Sequence, residues 1–207
     1  MARSDSSFVS LLPHPDTPSG MVRRVAACVE PIGPDLLRFR YVLEADPEII
    51  RIPPPVTDAG RTDELWAHTC FEAFLGFAGS APYLELNFSP SGQWAAYRFD
   101  SYRQGMASAL DGAPRLALRR GRERLELQAE VHLGGSLPAV GHGPGPGGGS
   151  GASGEQRLRV ALSTVVEDRE GRLSYWALRH PSGRPDFHHP ESFSLALELA
   201  SHPLSSP

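Results

Sequence analysis

Three stretches of the chain gather residue types suited to holding a small molecule. They are Trp66-Ala67-His68-Thr69-Cys70-Phe71-Glu72, then Glu85 through Asn87 to Tyr97, and Tyr175-Trp176 through Pro185-Asp186-Phe187-His188-His189. All three tryptophans, Trp66, Trp94 and Trp176, lie in these stretches. Flat rings can stack on a planar or sugar-like ligand while Asn, Glu, Asp, Arg and His fix its hydroxyls. For any single tryptophan, packing in the core is the commoner role. His188 and His189 with Asp186, joined by His180 or His68, have the donor types of a transition-metal site. Adjacent strand residues face opposite ways, however, so both imidazoles cannot readily meet one ion. A haem would need an axial pair such as Met106 with a histidine, and the spacing singles out none. Glu72 and Glu85 would suit glycoside hydrolysis only at the right separation. With no nucleophile elbow and no phosphate-cradling glycine loop, binding without a cofactor is expected rather than catalysis.

The elements that would position these residues read as strands. In Leu37-Arg38-Phe39-Arg40-Tyr41-Val42-Leu43 the apolar odd positions alternate with two arginines, the pattern of a half-buried strand. Comparable runs are Val22 to Glu30, Tyr83 to Phe88, Trp94 to Phe99, Arg115 to Arg119, Leu125 to Leu133, Leu158 to Val166, Leu173 to Leu178 and Phe193 to Leu199. About nine strands suffice for two packed sheets, an all-β antiparallel β-sandwich. Turn residues at Gly33 to Asp35, Ser89 to Gly92, Arg120 to Glu123 and Asp168 to Gly171 predict hairpins between sequential strands. Leu65, Trp66, Thr69, Cys70, Ala73, Phe74 and Phe77 also fit helical spacing, so this segment is ambiguous, although its aromatic content favours a strand. Ser101 to Leu110 is ambiguous too.

The glycine- and proline-rich run at 141–154 reads as a flexible surface insertion. Too few strands follow it for a second core. One domain over 21–200 is therefore expected, with residues 1–20 as an N-terminal segment and 201–207 as a tail.

Composition narrows the function further. The net charge of -4 and the absence of lysine leave no basic field for phosphates, so nucleic acid is not an expected partner. No window approaches the roughly 20 apolar residues of a spanning helix, and residues 1–18 lack a signal-peptide core. No membrane partner and cytoplasmic residence are the expectations. Cys28 and Cys70 sit in apolar runs, where reduced core thiols are found.

Particular stretches resemble a known family. Trp66-Ala67-His68-Thr69-Cys70-Phe71-Glu72-Ala73-Phe74 is similar to the Trp-x-x-Thr-x-Phe-Glu-x-Phe stretch of the DOMON-like superfamily, in the bacterial branch similar to family 9 carbohydrate-binding modules. Tyr83 through Tyr97, Phe99-Asp100-Ser101-Tyr102-Arg103 with Gly105-Met106, Tyr175-Trp176-Ala177-Leu178 and Pro185-Asp186-Phe187-His188 continue the resemblance, which spans about Met21 to Leu199. It implies a two-sheet β-sandwich with a strand from Cys70 to Phe77, and relatives that bind sugars or haem. It further implies Trp66 and Trp176 as stacking residues and Glu72, Asn87, Arg103 and Asp186 as hydrogen-bonding residues. With His188, these are expected to converge on one face as the site for a carbohydrate-like small molecule. A protein-interaction domain is the alternative, with a haem-binding or hydrolytic protein behind it.

Overall fold

The computed structural model describes residues 8–20, 22–137 and 157–198. The insertion expected at 141–154 and the tail at 201–207 lie outside them. Among the described residues there are thirteen strands and three one-turn 3-10 helices, and no helix is long and apolar enough to cross a membrane.

The strands form two facing antiparallel layers. The first holds β2 (Val22–Gly33), β3 (Leu36–Ala45), β10 (Arg124–His132) and β9 (Arg115–Arg120). The second runs β8 (Ala107–Ser108), β7 (Trp94–Phe99), β6 (Tyr83–Phe88), β5 (Cys70–Phe77), β11 (Arg157–Asp168) and β12 (Leu173–Ala177). The short strands β4 (Ile50–Arg51) and β13 (Leu195–Glu198) pair with the two ends of β11. Strand β1 (Val9–Pro13) joins the layers at one edge: Val9 to Leu11 pair with β2, and Leu12 and Pro13 pair with β12.

Strand β1 lies within the residues read as the N-terminal segment over 1–20. It buries only Leu11 fully, so its alternation carries almost no signal. The four expected hairpins are all present, as β2–β3, β6–β7, β9–β10 and β11–β12.

Alternation sets the core. Leu37, Phe39, Tyr41 and Leu43 on β3 and Leu125, Leu127, Ala129 and Val131 on β10 meet Phe71, Ala73, Leu75, Leu84, Leu86 and Phe88 of the second layer. Rings interlock across the gap, Phe39 with Phe88 at 5.8 Å and Tyr41 with Phe71 at 5.1 Å between centroids. The Tyr41 hydroxyl donates a 2.7 Å hydrogen bond to the Glu72 carbonyl, tying the layers together beside a residue of the candidate site. Every residue of β5 is buried, because its outer face is also covered. That erases the period-two pattern and explains why this segment mimicked a helix.

Candidate functional site

The outer face of the second sheet carries the chemistry. On β5 the residues alternating with the core set are Cys70, Glu72, Phe74 and Gly76, and on β6 they are Tyr83, Glu85 and Asn87. In register Glu72 lies opposite Asn87 and Phe74 opposite Glu85, so the two carboxyl groups are diagonal neighbours on one face. Loops cover this face and close a second apolar cluster of Phe74, Tyr83, Tyr97, Phe99, Phe187 and Phe193.

A cavity of about 450 Å³ remains between sheet and loops. Glu72 and Glu85 lie in it with Arg103 and His188, and Trp66, Phe99, Tyr175 and Phe187 supply aromatic walls. Trp66 projects from the one-turn helix Leu65–Ala67, launched by Glu64 in the left-handed region at φ 61°. It is 38% exposed and packs edge-on against Tyr97 at 5.8 Å. Met106, 59% exposed, lines the same cavity. Two of the few exposed large hydrophobic side chains among the described residues thus belong to it.

Arg103 is held by a strained turn. Its φ is 55°, an arrangement that costs on the order of 1 kcal/mol and persists where surroundings impose it. Its amide donates to Tyr83 Oη at 3.2 Å and its guanidinium to Asp186 at 2.9 Å. Gly105 completes the turn at φ 68°, where an added Cβ would come within 2.2 Å of the Asp100 carboxylate. Asp186 also accepts from the Tyr102 hydroxyl and the His188 amide. Burial opposes its ionisation, but these donors and the Arg103 charge outweigh that and hold its carboxylate below the ordinary range.

The cavity floor is chemically unusual. Glu72 is 3% exposed, and its Oε1 has no hydrogen-bond partner. Burial, reinforced by the charge of Glu85, pushes its carboxyl well above the usual range. Burial also pushes Glu85 up to about 7, although a 2.8 Å hydrogen bond from Asn87 and the Arg103 charge pull the other way.

His188 packs against Phe74 and Phe99 at about 5 Å. Burial and the Arg103 charge lower it to about 4, against the pull of Asp186, so the ring is neutral at pH 7. Its Nδ1 bonds Tyr83 Oη at 2.8 Å, and its Nε2 lies 3.7 Å from Glu85 Oε2. Its Nδ1 is thus taken up by Tyr83, and Met106 lines the same cavity.

Of the seven residues expected to converge, Trp66, Glu72, Arg103 and His188 line the cavity. Asn87 and Asp186 stand one layer back, bonded to Glu85 and Arg103. Trp176 does not belong. It is 5% exposed, packs between the sheets and donates from Nε1 to Ser174 Oγ at 3.1 Å. Its neighbour Tyr175 points the other way, into the cavity, because successive strand residues face opposite sides. The expected pair of stacking tryptophans is therefore absent.

Glu85, Phe99, Met106, Tyr175 and Phe187 also line the cavity without having been singled out as ligand-binding residues. Glu85 was legible, since it sits two residues before Asn87 on one strand and so shares its face. The other histidines weighed as metal ligands are scattered. His189 accepts from the Glu191 amide, His180 bonds the Leu12 carbonyl, and His68 bonds Glu167 at 2.8 Å. Among the described residues no three His, Cys, Asp or Glu side chains gather as a metal site.

This fold is the two-sheet β-sandwich seen in carbohydrate-binding modules. One similar solved structure is a protein from Bacteroides uniformis proposed to bind carbohydrate, 14% identical, covering 89% of this chain and 83% of that one with a TM-score of 0.61. Another is a family 9 carbohydrate-binding module from Caldicellulosiruptor kristjanssonii in complex with glucose, 10% identical, covering 97% of this chain and 90% of that one with a TM-score of 0.51. At these identities the likeness concerns the fold. No family model matches the sequence, and no curated protein does.

Proposed function

We propose that this protein is a non-catalytic binding module of the DOMON-like type whose ligand is a carbohydrate held in the 450 Å³ cavity. The observation that carries this reading is the pairing of aromatic walls with buried polar groups in one concave site. Trp66, Tyr175 and Phe187 offer faces and edges to the apolar side of a sugar ring, while Glu72, Glu85 and Arg103 can accept from or donate to its hydroxyls. Glu72 lines the cavity and its Oε1 accepts no hydrogen bond from the protein, so a ligand hydroxyl that reaches this carboxyl adds a bond the fold leaves unmade.

The likeness of fold to sugar-binding proteins supports the same ligand class. Catalysis by the two carboxyls is the weaker reading, because Glu85 is already committed to Asn87 and lies beside His188. A thermal-shift screen of mono- and oligosaccharides against nucleosides tests the proposal. Ligands that bind the native state raise the melting temperature. A sugar that does so, with the shift lost in Glu72→Ala, is the expected result, and stabilisation by nucleosides alone would contradict it.

A further inference from the structure

The cavity floor departs from what a neutral sugar needs. Two buried carboxyl groups face it, and the nearest guanidinium, Arg103, is already bound to Asp186 at 2.9 Å. Glu72 therefore meets neither a cation nor a hydrogen-bond donor. Directly across from it in register on β11 is Ser163, fully buried, whose hydroxyl is also without a partner. The cavity lining itself adds aromatic rings, Trp66, Tyr175 and Phe187 among them. Carboxylate, hydroxyl acceptor and ring faces together form the surroundings that stabilise an ammonium group.

Resting on the carbohydrate reading above, we propose that the preferred ligand carries a primary amine, as in an amino sugar, with the ammonium docked on Glu72 and the sugar ring against Trp66. A protonated amine meets two needs that a hydroxyl meets only in part. It donates to the Glu72 carboxyl and supplies positive charge beside two acidic groups. The ionised form of Glu72 then becomes the favoured one, because its charge is neutralised where it stands. A hydrogen bond with a charged partner is stronger than a neutral one by about tenfold in binding.

The test is calorimetric titration of the full chain at pH 7 with glucosamine, glucose and N-acetylglucosamine, which share a ring and differ in the group at one position, charged only in glucosamine. Glucosamine should bind about tenfold more tightly than either neutral sugar. In Glu72→Gln, which keeps the shape of the side chain but not its charge, that preference should vanish, so that glucosamine binds no more tightly than glucose. Glucose or N-acetylglucosamine binding as tightly as glucosamine to the native protein would overturn the amine assignment and leave the carbohydrate reading in place. Failure of all three to bind would remove both.

Discussion

Replacing Glu85 by Gln should make the protein more stable, and only at neutral and alkaline pH. The carboxyl is held at about 7 instead of 4.5, chiefly by burial. Between those values the folded chain keeps a proton that the unfolded chain has lost, so stability falls as the pH rises through the window and levels off above it. The full loss is about 3 kcal/mol. Glutamine keeps an oxygen to accept from Asn87 and carries no charge to desolvate.

His188 works in the opposite direction. Lowered to about 4 from 6.5, it costs stability as the pH falls between those values, which flattens the native profile in the range both share. Comparing variant with native protein removes that contribution. Urea unfolding followed by tryptophan fluorescence should place Glu85→Gln about 2 to 3 kcal/mol above the native protein near pH 8, and level with it near pH 4. An equal difference at both pH values, or a less stable variant near pH 8, would refute the claim that Glu85 is a desolvated acid.

Other consequences are open to measurement. Trp176→Phe should lower stability by about 1 to 3 kcal/mol through lost core packing and the lost bond to Ser174, with sugar affinity unchanged in titration. Gly105→Ala should reduce affinity and stability together, because its Cβ would collide with Asp100 in the turn that presents Arg103. Calorimetry and melting curves of that variant check both effects. Cys28 and Cys70, both buried and neither in a disulfide, should react with a thiol reagent only as fast as the protein unfolds, and immediate labelling of the native protein would contradict their burial.

The strands with one solvated face were legible because charge alternates with bulk, as Arg38 and Arg40 do around Phe39. Where both faces are covered the pattern disappears. Strand β5 could be placed only by its aromatic content and by the resemblance of its flanking residues. The same loss of contrast misassigned Trp176: Ser174 is buried as well, so Leu173 to Ala177 holds no polar position that fixes which aromatic faces the core. Chain distance hid other partners. Arg103 depends on Asp186, 83 residues away, and His188 on Tyr83 across 105 residues. Only the folding of the 178–193 segment over the sheet brings them together. The unpartnered state of Glu72 is likewise a property of packing, which no spacing encodes.

The most direct measurement is calorimetric titration of the best-binding sugar into the native protein and into Trp66→Ala. Trp66 is a partly exposed wall residue with no hydrogen bond assigned to its side chain, so its removal should change the cavity far more than the fold. A single site per chain is expected, weakened in the variant by about 5- to 150-fold, the range of roughly 1 to 3 kcal/mol for losing an aromatic contact. Equal affinity in the two proteins would mean that the sugar sits elsewhere and that this cavity is not the binding site.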